Sequence, residues 1–167
     1  MCYNTLMEQL DFFAIHPTSC VFTGHRNLGA DFSKRVLKKK IKYLLDKGVR
    51  TFYNGFALGF DTEALKVLYP FKKKYPDIKI VACIPCLEQD KMFNEKQKKE
   101  YRELLEKADE KVLVSKVYSR DCMLKRNRYM AELADCMIAY CKRDKGGTAY
   151  TVNYFRNVNP GGEILFL

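Results

Sequence analysis

Apolar and polar positions along this chain follow two rhythms that replace one another at regular intervals. Short β-branched or aromatic runs at residues 19–23, 49–53, 78–84, 111–115, 136–140 and 163–167 have the length and composition of buried strands. Between them lie longer stretches with polar faces and apolar positions near helical spacing. These cover residues 31–47 (with Val36, Ile41, Leu44 and Leu45), 61–74, 88–107, a loop and helix over 118–133, and 148–157. Gly48 stands where a helix C-cap is expected. Pro76 stops the second helix, because the residue before a proline is pushed out of the helical region. Strands alternating with helices predict an α/β fold: a Rossmann-like, doubly wound, mostly parallel sheet of about six strands with helices on both faces. No linker, repeat or low-complexity tract divides residues 19–167, which read as one domain. Residues 1–18 read as an N-terminal extension.

Three of the predicted strands end in glycine-bearing corners: Thr23-Gly24-His25-Arg26, then Asn54-Gly55-Phe56-Ala57-Leu58-Gly59-Phe60-Asp61, then Gly146-Gly147-Thr148. A strand that ends in glycine and opens into a helix gathers unpaired N–H groups and the positive end of the helix dipole at one point, which suits phosphate. In a parallel sheet, corners at the C-terminal ends of strands share one edge, where open α/β folds bind ligands. Gly24 is expected to let the backbone approach a ligand, and Arg26 to pair with phosphate. His25 is either a donor to that ligand or a ring packed under the loop. Asp61 either caps the second helix or reaches ribose hydroxyls, and Glu63, one turn further in, either reaches the site or complements the dipole. Thr148 donates to phosphate or caps the last helix. Arg126 and Asn127, at the start of a helix, fit polar recognition of a base or sugar, or a solvated helix start. Gln89 closely follows Pro85 and lines the same edge. The reading stands or falls on these corners forming a single phosphate pocket.

Composition narrows the classes. No uninterrupted apolar run approaches the roughly 20 residues that cross a bilayer, and residues 1–11 lack the pattern of a signal peptide. A cytoplasmic protein with no membrane partner is therefore expected. Seven cysteines, mostly in strand-like runs, read as reduced core thiols. Cys83 and Cys86 are spaced as CxxC, but no second pair completes a zinc site, so no metal is expected. The net charge of +10, with lysines at 38–40, 72–74 and 96–99, would help recruit a phosphorylated small molecule or nucleic acid, or simply solvate helix faces.

With these residues in hand, the chain resembles the YpsA-like branch of the SLOG superfamily, whose Rossmann-like domains are related to the LOG phosphoribohydrolases and to the single-strand DNA-binding protein DprA. The matching pieces are the Thr23–Arg26 corner, Gly55 with Ala57-Leu58-Gly59 and Asp61, Pro85 with Gln89, Arg126-Asn127 with Met130, Asp135, and Gly146-Gly147-Thr148, in the family's order over residues 19–167. The resemblance implies a sensor or regulator that binds a nucleotide or nucleotide-derived ligand, its contacts made by Thr23, Gly24, His25, Arg26, Gly55, Phe56, Ala57, Gly59, Asp61, Gln89, Arg126, Asn127, Gly146, Gly147 and Thr148. It implies no certain cofactor beyond that ligand, and a homo-oligomer. A nucleotide N-glycosidase and a single-stranded nucleic-acid-associated protein are its two alternatives. Two departures bear on the choice. Phe56 stands where the family has a second glycine, narrowing the pocket or stacking on a base. The stretch Ala149-Tyr150-Thr151-Val152-Asn153 lacks the carboxylate that the LOG enzymes use, leaving only Asp61 or Glu63 for hydrolysis.

Overall fold

The structure, a computed structural model, describes residues 17–167, so nearly all of the expected N-terminal extension lies outside the described residues. Six strands form one sheet in the order β4-β3-β2-β1-β5-β6, every neighbouring pair parallel. They are β1 (Ser19–Gly24), β2 (Thr51–Asn54), β3 (Lys79–Ile84), β4 (Glu110–Leu113), β5 (Cys136–Tyr140) and β6 (Ile164–Phe166). The helices are α1 (Lys34–Asp46), α2 (Phe60–Leu68), α3 (Glu95–Glu106), α4 (Cys122–Leu133) and α5 (Gly147–Val158), with a short 3-10 turn at Tyr69–Lys73. The order runs outward from β1 to β4, then returns to β5 beside β1. The reversal therefore falls between β1 and β5, at the position where doubly wound sheets open a crevice.

Strand alternation sorts the core into two layers. Cys20, Phe22, Ile138 and Tyr140 face α1, α2 and α3, packing with Leu37, Ile41, Leu44, Phe60 and Leu65. Val21, Met137 and Ala139 face the opposite way, against Met130, Ala131, Val152 and Phe155 of α4 and α5. All five residues of β5 are buried, the near-continuous apolar run of a strand covered on both faces.

Several element boundaries differ from the sequence expectation for local reasons. In α1, Ser33 caps the helix by accepting from Val36 N at 3.4 Å, and Gly48 follows its end with φ of 96°. The buried stripe is Leu37, Ile41, Leu44 and Leu45, a spacing of four, three and one, whereas Val36 is turned to solvent. The second helix tightens to 3-10 at Tyr69, because Pro70 lacks the N–H for an i−4 bond. The polar stretch from residue 88 becomes helix only after Asn94. There a reciprocal capping box forms, Gln97 N donating to Asn94 Oδ1 and Asn94 N to Gln97 Oε1, both at 2.9 Å.

Candidate functional site

Because the sheet is parallel, the ends of β1, β2, β3 and β5 share one rim, where a direct bond joins the first two glycine corners and a chain of side chains reaches the third. Phe60 N donates to His25 O at 3.1 Å, fastening the second corner to the first. Gly59, with φ of 85°, lies so close to Arg26 that a Cβ would stand 2.0 Å from its carbonyl oxygen. His25 fastens the first corner to the end of β5, ahead of the third corner: its N donates to Tyr140 O at 3.2 Å, and its Nε2 accepts from Lys142 N at 2.8 Å. Burial, with the Arg143 charge nearby, holds the His25 imidazole below its ordinary pKa. That agrees with Nε2 acting as an acceptor. His25 is thus the ring packed within the loop.

Side chains fill most of the space between these corners. A Cβ on Gly24 would stand 2.3 Å from the Phe60 ring, which itself stacks on Tyr140 with centroids 6.1 Å apart. The missing side chain of Gly24 therefore admits Phe60, where the sequence suggested a ligand. A Cβ on Gly55 would stand 2.1 Å from Nη1 of Arg126. Phe56, expected to narrow a pocket or stack on a base, is instead buried in the core with a left-handed φ of 52°, a strained conformation for a bulky residue.

Asn54 opens the second corner, and although the sequence alone gives it no role, it holds this loop. Its Oδ1 accepts from Phe56 N at 2.7 Å and its Nδ2 donates to Asp61 O at 3.1 Å. An asparagine between a strand and a glycine is the recognisable signal for such a turn. Asp61 does not cap α2. It lies in the first turn, 6% exposed, and its carboxylate accepts from Ala57 N at 3.3 Å. Burial pushes its pKa up to about 6, against the pull of the Arg126 charge and of loop N–H groups. A carboxyl titrating there has a value suited to proton transfer, but its burial leaves it no open approach. Glu63 is held by Lys34 at 2.6 Å and Lys66 at 3.0 Å.

Arg126 and Asn127 bond to neighbouring elements of the protein. Arg126 is buried, donating from Nη1 to Gly55 O and, at 3.2 Å, to Cys83 O; Gln89 Nε2 donates to the same Gly55 oxygen at 2.8 Å. Burial depresses the Arg126 pKa. Arg126 Nε donates to Asn127 Oδ1 at 2.8 Å, Asn127 Nδ2 to Thr151 Oγ1 at 2.9 Å, and Thr151 Oγ1 to Gly147 O at 2.7 Å. One chain of hydrogen bonds thus runs from the second corner to the third.

The third corner is the open one. A Cβ on Gly146 or Gly147 would meet nothing within 4 Å. Gly146, at φ 102°, is the N-cap of α5 and offers no side-chain cap, so the first-turn N–H groups lack a side-chain acceptor. Thr148 lies inside that turn and is buried, and Thr23 is buried in β1. Beside the corner lies a recess of about 320 Å³ lined by Lys142, Arg143, Asp144, Ala149, Asn153 and Arg156 among others. A second depression, of about 490 Å³, lies beside the first and second corners, with Arg26, Leu58, Gly59, Thr62 and Glu63 on its walls. The three corners therefore do not form the single phosphate pocket expected from the sequence: side chains fill the centre of the rim and two separate depressions flank it, so a ligand is left with one corner rather than three. Among the described residues, no group of three or more His, Cys, Asp or Glu is arranged to hold a metal, and no helix is long and apolar enough to cross a membrane.

Comparison with known proteins agrees with this architecture. Solved structures of DNA processing protein A match the fold: the Helicobacter pylori protein with a TM-score of 0.63 at 18% identity, and the Streptococcus pneumoniae protein with 0.62 at 16%. Each match covers 89% of this chain, but only 65% and 49% of the respective DprA chains. In sequence, the chain is 32% identical over 125 residues to the SPbeta prophage-derived protein YoqJ of Bacillus subtilis, covering 68% of this chain and 73% of that protein. It is 28% identical over 126 residues to a UPF0398 protein of Halalkalibacterium halodurans, covering 74% and 67%. The YpsA profile, described as the YspA SLOG family, matches residues 20–160 and so takes in every corner of the rim. The chain belongs to the YpsA family of SLOG proteins.

Proposed function

We propose that this protein binds a nucleotide or nucleotide-derived ligand at the C-terminal rim of its sheet and acts as a sensor or regulator. The observation that carries the reading is the third corner. An uncapped helix N-terminus, entered through two glycines with open space above them, stands at the reversal of strand order, following the loop that carries Lys142 and Arg143. Phosphate is the group such a corner favours. Arg26, exposed on the neighbouring corner, supplies a further cation to the same rim. The sensing role is favoured over hydrolysis because the two carboxylates within reach are engaged: Asp61 is buried on loop backbone and Glu63 is clamped between lysines.

Calorimetric titration with nucleoside mono-, di- and triphosphates tests this reading. Saturable binding is expected, weakened about tenfold by Arg26→Ala through loss of one charge-assisted contact. Absence of binding across the panel refutes it. Release of free base from a bound nucleotide would instead establish the N-glycosidase alternative. DNA processing protein A of Helicobacter pylori, which shares the fold, binds single-stranded DNA, and the net charge of +10 is compatible with such a partner here. Salt-sensitive binding of an oligonucleotide that survives Arg26→Ala would favour that alternative.

A further inference from the structure

On the outer side of α1 and α2 lies a groove of about 450 Å³ that the rim does not use. Its floor is apolar, made by Val67, Pro70 and Phe71, and its walls are cationic: Lys34, Arg35 and Lys38 on the α1 side, Lys66 and Lys74 opposite. The head of the groove already holds a carboxylate. Glu63 sits between the two walls, 2.6 Å from Lys34 Nζ and 3.0 Å from Lys66 Nζ, and Lys66 also reaches Glu100 at 2.5 Å. Away from that head, Arg35, Lys38 and Lys74 make no ion pair among the described residues, and all three are exposed. The same wall-to-wall geometry is thus filled by a carboxylate at one end and lacks one at the other.

We propose that this groove docks an acidic segment of a partner protein, with an apolar side chain seated on Val67, Pro70 and Phe71 and flanking carboxylates on Arg35, Lys38 and Lys74. Charge complementarity selects the occupant's sign, and the apolar floor selects a peptide. A nucleic-acid strand fits less well, because Glu63 and Glu100 stand at the groove head, where a phosphate chain would pass them. The inference is independent of what binds at the rim.

The test screens the whole protein against a random peptide array, then measures the best peptides by fluorescence anisotropy. Enriched peptides should carry an apolar residue flanked by Asp or Glu. Joint Lys38→Glu and Lys74→Glu should weaken them about tenfold or more. Peptides with Lys in place of those acids should regain binding to the reversed protein. Both lysines are exposed, so the melting temperature should hold; Lys38→Ala with Lys74→Ala serves if the reversed protein fails to fold. The inference is overturned if no such pattern is enriched, if the substitutions leave binding unchanged, or if acidic peptides without an apolar residue bind equally well. It is also overturned if an oligothymidylate binds as tightly as the best peptide and is lost with the same substitutions.

Discussion

A methyl group added at Gly55 would stand 2.1 Å from Nη1 of Arg126 and 2.8 Å from Oδ2 of Asp61; one added at Gly146 would meet nothing within 4 Å, and there only the backbone φ of 102° resists it. Gly55→Ala should therefore cost about 1–3 kcal/mol as overpacking and displace a buried guanidinium, while Gly146→Ala should cost about 1–3 kcal/mol for its backbone alone, whose φ of 102° and ψ of −179° lie in a region essentially reserved for glycine. Urea unfolding midpoints compare the two, and displacement of the Arg126 guanidinium in a crystal structure should accompany only the first. The sequence marks both positions as glycine but cannot say what fills the space, since Arg126 lies 71 positions from Gly55. Asp61 offers a second residue-scale test. Its folded pKa is raised to about 6 by burial, from 3.8, so the native state holds its proton more tightly than the unfolded chain. Its contribution to stability is fully present below about pH 4 and is lost as the pH rises through about 6. Unfolding free energies of Asp61→Asn and the parent should diverge in the variant's favour across that window, by about 3 kcal/mol at most. A constant difference from pH 4 to 7 would contradict the assignment.

At the scale of elements, two helices begin at the rim and differ in what their first turns meet. The start of α2 is closed by the first corner, with Phe60 N on His25 O and the Arg26 backbone against Gly59. The start of α5 is open, and is held from below by Thr151 and Asn127. Thr151 is buried, and Thr151→Val keeps its shape while leaving Asn127 Nδ2 and Gly147 O without this partner. The expected cost is about 1–3 kcal/mol, with faster amide exchange in the first turn of α5. Unchanged exchange there would mean the bond chain does not position the corner. Periodicity made the strands and helices legible because two core layers impose it over whole elements. It misjudged places where one residue decides: Pro70, which tightens α2; Asn94, which delays α3; and Val36, which neighbours the buried Leu37. Asp61 looked like a cap because acidic residues favour first turns, yet loop N–H groups claimed its carboxylate.

For the molecule as a whole, alternation of strand and helix was enough to anticipate a parallel doubly wound sheet, and that sheet brings the three glycine corners to one rim. What lay beyond the sequence was the packing across that rim. Phe60 of the second corner packs on the first, and Arg126 arrives from α4 against Gly55, so the centre is occupied and the β5–α5 corner is left as the opening. The central claim is thus that a phosphate-bearing ligand binds at the first turn of α5. Gly147→Asp isolates it: the added carboxylate has room, and it complements the helix dipole, so the fold should be kept or slightly stabilised while an anion is repelled. The most direct measurement is thermal unfolding of the parent and of Gly147→Asp with and without a nucleotide panel. The account predicts that at least one nucleotide raises the parent's melting temperature by ligand linkage and leaves the folded variant's unmoved. A nucleotide-induced rise that survives Gly147→Asp, or no rise in the parent with any nucleotide, would contradict it.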